Sequence, residues 1–258
     1  MKMKNQRNTA KAKFSYWKAA LAALVMLISA DHLMAQSAKY TLLVDVAHGQ
    51  KFYNNPSKMN ASAGSDGPRV EYLIGELSKN ASSLGAQVGF LNEAITPAQL
   101  AKCDLLFIHI PSSTYSANEV RAITEYVANG GSLFLVMEED YWSTLKQTNT
   151  NDLIRPFGIQ FGENSADSLS GGFTKPTVVM KTPLKITYHG GRVVTGGTPF
   201  CFNSQTKEPF GVFTTLNNGG KVIAMGDGMT PLYMTSWNGV TDYQCSEFMG
   251  AVLGWLLE

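Results

Sequence analysis

The chain has 258 residues, with 21 Lys and Arg against 20 Asp and Glu and a formal net charge of +1. Six of those bases (Lys2, Lys4, Arg7, Lys11, Lys13 and Lys18) sit in the N-terminal segment with one acid, Asp31, so the remainder is mildly acidic. It carries no basic stripe, which argues against nucleic acid as a partner.

After the basic segment an apolar run, Ala19–Ala30, is broken by Asp31. The run is short of the roughly 20 apolar residues a bilayer span needs. The order basic, apolar, small-polar reads as a secretory signal peptide over residues 1–35, cut near Ala35 or Ser37. The other reading is an uncleaved anchor helix. Cleavage would leave a single domain over residues 36–258, periplasmic or secreted, with no stable membrane span. Three cysteines, Cys103, Cys201 and Cys245, leave at least one free thiol or an intermolecular bridge. They form no C-x-x-C and no zinc-ligand spacing, so neither a metal nor a cofactor is expected.

The run Tyr40–Ala47 reads as a buried strand ending in the polar turn His48-Gly49. A long loop rich in Gly, Ser and Asn follows, from His48 to Gly67; such loops in compact domains are functional or disordered. Pro68 suits the first turn of a helix. Val70, Leu73, Ile74 and Leu77 supply its apolar face, and Gly85 ends it. Ala86–Leu91 is the second strand. Thr96 and Gln99 form a capping box, and so do Ser116 and Glu119. Between them, Asp104–Ile110 is the third strand, closed by Pro111. The helix opened by Ser116 ends at Gly130-Gly131, and Ser132–Met137 is the fourth strand. Strand and helix alternate, which predicts an α/β fold: a flavodoxin-like, doubly wound, mainly parallel sheet.

The second half breaks that alternation. Leu145–Phe157 is predicted helical. Val178–Met180 and Lys185–His189 are predicted as short strands joined by a Pro turn. Phe210–Leu216 and Lys221–Met225 flank Asn217–Gly220 as a hairpin. Ser246 is placed to cap a last helix, Phe248–Leu257. The C-terminal half therefore adds antiparallel strands to the parallel core.

The strand ending at His48-Gly49, the run Asp104–Pro111, the segment Glu119–Leu135 with its Tyr126-Val-Ala-Asn-Gly-Gly, the stretch Gly220–Gly228 and the terminal Trp255-Leu-Leu257 together resemble class I glutamine amidotransferase-like domains. The resemblance is to the non-amidotransferase branch, which includes a bacterial domain of unknown function and domains of gliding-motility and intraflagellar-transport proteins. It covers nearly all of the chain after the leader. It implies an elbow after a core strand, here Val136–Asp140, where true amidotransferases carry a nucleophilic Cys. This chain has Glu138-Glu139-Asp140 there and Gly226-Asp227-Gly228 where their His belongs. Glutamine hydrolysis needs an activated thiolate with a positioned base; the chain lacks that pair, so glutaminase activity is not expected.

Parallel strands bring four polar clusters to one sheet end: His48-Gly49-Gln50, Pro111-Ser112-Ser113, Glu138-Glu139-Asp140 and Asp227. Open α/β sheets place ligands there. His48 with Glu138, Glu139 or Asp227 has the chemistry for general acid/base work or for binding a hard cation. His48, Gln50, Ser112, Asp140, Asn203 and Asp227 are the candidate ligand contacts. The same residues also admit structural roles, with His48 bonded to backbone and the acids solvated or capping a helix. Asp45 and His109 lie in apolar strands and need buried partners. Phe52, Tyr53, Tyr141, Trp142, Phe200, Phe202, Tyr233 and Trp237 fall in predicted loops, where they either stack on sugar rings or pack the loops. The reading is an exported binding domain for a glycan or sugar-acid ligand. Its rivals are a carbohydrate-active hydrolase or lyase and an interaction module for an envelope protein.

Overall fold

The structure is a computed structural model that describes residues 38–59, 66–165, 167 and 170–258. The signal-peptide reading of residues 1–35, its cleavage window and residues 60–65 of the predicted long loop lie outside the described residues.

Four strands, β1 (Tyr40–Asp45), β2 (Ala86–Leu91), β3 (Leu105–His109) and β4 (Ser132–Val136), alternate with α1 (Asp66–Ser83), the single turn α2 (Pro97–Leu100) and α3 (Ala117–Ala128). Both predicted capping boxes form, Thr96 with Gln99 and Ser116 with Glu119. After α4 (Leu145–Thr148) and α5 (Thr150–Ile154) come β5 (Gln160–Asn164), β6 (Gly172–Thr174), β7 (Lys185–Ile186), β8 (Arg192–Thr195), β9 (Thr198–Asn203), β10 (Pro209–Thr215), β11 (Lys221–Met225) and α6 (Cys245–Leu257). The main sheet has the order β2-β1-β3-β4-β11-β10-β9-β6-β7, and β5 pairs with β8 apart from it. β2, β1, β3, β4 and β11 are mutually parallel, and β10, β9, β6 and β7 pair antiparallel beyond them. The parallel part has the flavodoxin-like order, whose crevice opens where the order reverses, between β1 and β3.

Successive side chains of a strand face opposite sides of the sheet, and here both sides are buried. Leu105 and Phe107 of β3 join Leu73 and Leu77 of α1 and Phe248 and Val252 of α6 in one core. Leu106 and Ile108 join Ile123 and Val127 of α3 in the other. That is why the parallel strands read as continuous apolar runs.

Several segments depart from the sequence-based expectation, among them Lys185–His189, of which only Lys185–Ile186 is a strand, and Thr198–Asn203, expected as loop and found as β9. Leu145–Phe157 is no single helix: Asn149 adopts φ 43° and divides it, its side chain held by the backbone of Tyr115. Val178–Met180 is not a strand, because the Thr177 hydroxyl accepts hydrogen bonds from the amides of Val179 and Met180 and curls the chain. Ser246 lies inside α6, whose cap position is Gln244. Among the described residues no helix is long and apolar enough to cross a membrane.

Candidate functional site

The parallel strands deliver the predicted residues to one end of the sheet, but the side chains separate into two groups. The first surrounds His48. Its Nδ1 lies 2.9 Å from Asp45 Oδ2, its Nε2 lies 3.1 Å from Glu119 Oε1, and its ring stacks on Tyr115 at 3.8 Å. The Tyr115 hydroxyl donates to Asp45 at 2.7 Å. Glu119 also accepts from the amides of Ile95 and Ser116 and from the Ser116 hydroxyl. A neutral imidazole would turn one lone pair towards a carboxylate, so this geometry selects the doubly protonated ring. Burial lowers the His48 pKa, but the hydrogen bond and charge of Asp45 and then Glu119 outweigh it, and the net shift is upward. Glu119 moves down: burial raises it, and the hydrogen bonds from Ser116 and Ile95 and the charge of His48 prevail. Both ring nitrogens of His48 are thus engaged within a buried ionic network that ties the β1 turn to the first turn of α3.

The second group lies beyond β4 and β11. Glu138 is buried, accepting from the amides of Gly228 at 2.8 Å and Glu139 at 3.1 Å. Asp227 is fully buried and accepts from the amides of His189 and Met229 at 2.9 and 3.0 Å. Burial, and then the charge of Asp227, pushes Glu138 far above the carboxylate range. Burial also raises Asp227 to about 7, against the backbone hydrogen bonds that favour its ionised form and with Glu139 adding to the rise. The two acids behave as a buried pair in which Glu138 retains a proton.

Above Glu138 opens a cleft of about 380 Å³. Phe52 from the loop after β1, Arg69 from the first turn of α1, Glu139, Tyr141 and Trp142 from the loop after β4, His189, and Met229 and Trp237 from the loop after β11 line it. Phe52 meets Trp142 edge-on at 5.3 Å, and His189 packs on Trp237 at 4.8 Å. The Nδ1 of His189 and the Nε1 of Trp237 are buried and find no hydrogen-bond partner among the described residues. A buried polar atom left unpaired costs about 1–3 kcal/mol. A wider cleft of about 750 Å³ opens at the opposite, amino end of the strands, beside Tyr40, Asp104, Ser132 and Lys221. The smaller one has the polar convergence at the carboxyl ends that marks ligand sites in this architecture.

Of the residues singled out from sequence, Glu138 and Glu139 line the cleft and Asp227 holds the backbone of His189 behind it. His48 does not line it. Gln50 is buried and accepts from the His109 amide, and the Ser112 hydroxyl donates to the Gly49 carbonyl. Asp140 is ion-paired with the buried Arg192, and Asn203 accepts from Ser170, Gln205 and Thr206 to hold the turn after β9. Phe52, Tyr141, Trp142 and Trp237 are the loop aromatics at the cleft. Tyr53 and Tyr233 are instead buried in the core, and Phe200 and Phe202 lie on β9 rather than in a loop. His109 is buried, with its ring on the Gly228 carbonyl, and burial pushes it down to about 3. Sequence reasoning missed Arg69, which only α1 and the β1 loop bring to the cleft. It also missed Ile110, a β-branched residue at φ 49° between the two groups, a strained backbone of the kind found at functional turns.

None of the cysteines lines the cleft. Cys103 precedes β3, Cys201 lies on β9, Cys245 opens α6, and all are free thiols. Burial raises all three, Cys103 to about 11, the reverse of what a nucleophilic thiol requires. Among the described residues no group of three or more His, Cys, Asp or Glu is placed to hold a metal ion.

The family model described as the IFT52 GIFT domain matches residues 78–170. No curated protein sequence matches the chain. Among solved structures, the chain is similar to the mmIFT52 N-terminal domain at 17% identity and a TM-score of 0.59, covering 84% of this chain and 96% of that one. It is also similar to the exo-beta-1,4-mannosidase Op5Man5 from Opitutaceae bacterium strain TAV5, at 11% identity and a TM-score of 0.48, over 82% of this chain and 35% of that enzyme. A putative GMP synthase protein from Thermoplasma acidophilum matches at 8% identity and a TM-score of 0.47, over 84% of this chain and 94% of that one. The intraflagellar-transport part of the sequence resemblance thus meets both a family match over residues 78–170 and a fold shared with the mmIFT52 N-terminal domain.

Proposed function

We propose that this chain is an exported, amidotransferase-like binding domain without the Cys nucleophile, and that its cleft beyond β4 and β11 takes a glycan. The observation that carries the reading is the cleft lining. Four aromatic side chains, Phe52, Tyr141, Trp142 and Trp237, stand beside Glu139, Arg69 and His189. Sugar rings offer apolar C–H faces to aromatic side chains and hydroxyls to polar groups placed around them.

Isothermal titration of the purified protein against neutral, amino and acidic oligosaccharides tests this. At least one class should bind, and Trp237→Ala should weaken it about tenfold, or about 1.4 kcal/mol. Binding of no oligosaccharide, with retention of an envelope protein that Trp237→Ala and Tyr141→Ala release, would give the interaction-module reading instead. That rival has one observation in its favour: Tyr141 is 79% exposed at the cleft mouth. If turnover accompanied binding, the acids placed to supply it are Glu138 and Glu139. Export is checked by N-terminal sequencing of envelope-fraction protein, which should begin between Ala30 and Ala38; an intact Met1 would contradict it.

A further inference from the structure

We propose that the glycan taken by this cleft carries a protonated amine, as a deacetylated hexosamine does, and that Glu139 receives that amine. The inference rests on the glycan reading above and narrows it to one charge class.

Glu139 and aromatic faces line the cleft beside one cation, Arg69. Glu139 lines the cleft and forms no ion pair among the described residues. Its carboxyl group lies over Gly190: a Cβ built there would stand 2.9 Å from the Glu139 carboxyl carbon. Only a glycine leaves the carboxylate that place. Glu138 lies in the floor and Asp227 behind it, and no cation pairs with either among the described residues. The aromatic walls favour the same sign, since ring faces attract cations. Two of them already do so: Lys51 Nζ sits 3.8 Å from the Trp142 ring centroid, and the Arg69 guanidinium 4.6 Å from that of Phe52. A sugar amine at Glu139 gains a charge-assisted hydrogen bond while its ring lies within reach of the same aromatics. A sugar carboxylate would meet the like charge of Glu139 and would be left to Arg69, which already lies over the Phe52 ring. A neutral N-acetyl group gains neither term.

The test is isothermal titration of the purified protein with three probes: the fully deacetylated glucosamine tetramer, its N-acetylated counterpart and a galacturonate tetramer. The deacetylated tetramer should bind at least tenfold tighter than the N-acetylated one, with the galacturonate weakest. Glu139→Gln should bring the first two affinities within twofold, and Glu139→Asp should restore part of the preference. Equal or tighter binding of the N-acetylated or galacturonate tetramer overturns the proposal while leaving the glycan reading standing. So does a preference that Glu139→Gln leaves unchanged. If no tetramer binds, the glycan reading falls and this proposal with it. The comparison of probes on the unsubstituted protein depends on no variant folding.

Discussion

Replacing His48 by alanine should lower the unfolding free energy by about 3–5 kcal/mol, the cost of stranding buried charges whose partner has been removed. Asp45 is fully buried, Glu119 is nearly so, and His48 joins them. The pH dependence follows from the direction of the shift. The His48 pKa is higher folded than unfolded, so its contribution is complete below the unfolded value, near 6.5, and is lost as pH rises through the folded value. Glu119 has the opposite sign: its pKa is depressed, so its contribution is present above the unfolded value and lost as pH falls through the folded one. Urea denaturation of the protein and of His48→Ala should show the gap widest between those limits and narrowing on the alkaline side. If His48→Ala costs less than about 1 kcal/mol yet abolishes oligosaccharide binding, the histidine is a ligand contact rather than the centre of a structural network.

Stability should also fall as pH rises towards neutrality, because of the acid pair beneath the cleft. Asp227 is raised from 3.8 to about 7, and burial also raises Glu138 well above the carboxylate range. The folded state therefore binds protons that the unfolded chain has released. The stabilisation is complete below about pH 4 and is lost as pH climbs to about 7, at up to about 1.4 kcal/mol per pH unit for each proton. Thermal melts from pH 4.5 to 8 should show a declining Tm. Glu138→Gln should flatten that decline by removing one of the two buried groups that hold protons in the folded state, and Asp227→Asn should do the same at the expense of an acceptor for the amides of His189 and Met229. A melt profile that rises over this range, or a decline that Glu138→Gln leaves intact, would contradict the pairing. The His48 term falls in the same direction, so the two are separated by comparing the Glu138 and His48 variants.

The first half of the fold was legible because its signals are local. Thr96 with Gln99 and Ser116 with Glu119 are capping boxes complete within four residues, and the buried parallel strands are unbroken apolar runs. The second half depends on partners distant in sequence. β5 is mostly exposed and polar, and only its pairing with β8 makes it a strand. Val178–Met180 has strand composition but is curled by the neighbouring Thr177 hydroxyl, and Val178 is left exposed.

The site was legible as an end of the sheet and less so as a set of side chains. Strand order places His48, Glu138 and Asp227 at the carboxyl ends. It does not tell that Glu119, read only as a helix cap, would also take His48 Nε2 and close that histidine into a network. Nor does it tell which loop aromatics face outward. Tyr53 turns its hydroxyl to the Pro231 carbonyl in the core, while Phe52, its neighbour, joins the cleft wall. Alternation along an extended segment sends adjacent side chains to opposite sides, but a loop gives no periodicity from which to read the side.

Glycan binding in the cleft beyond β4 and β11 is tested most sharply by the tryptophan emission of the protein titrated with the glucosamine tetramer. Trp142 and Trp237 line the cleft, whereas Trp255 packs against Phe213 near the amino ends of the strands, beside Lys221. The emission should change saturably, and the change should persist in Trp255→Phe and vanish in the Trp142→Phe, Trp237→Phe double variant. A saturable change that survives in the double variant, or disappears in Trp255→Phe alone, would place the ligand elsewhere and contradict binding in this cleft.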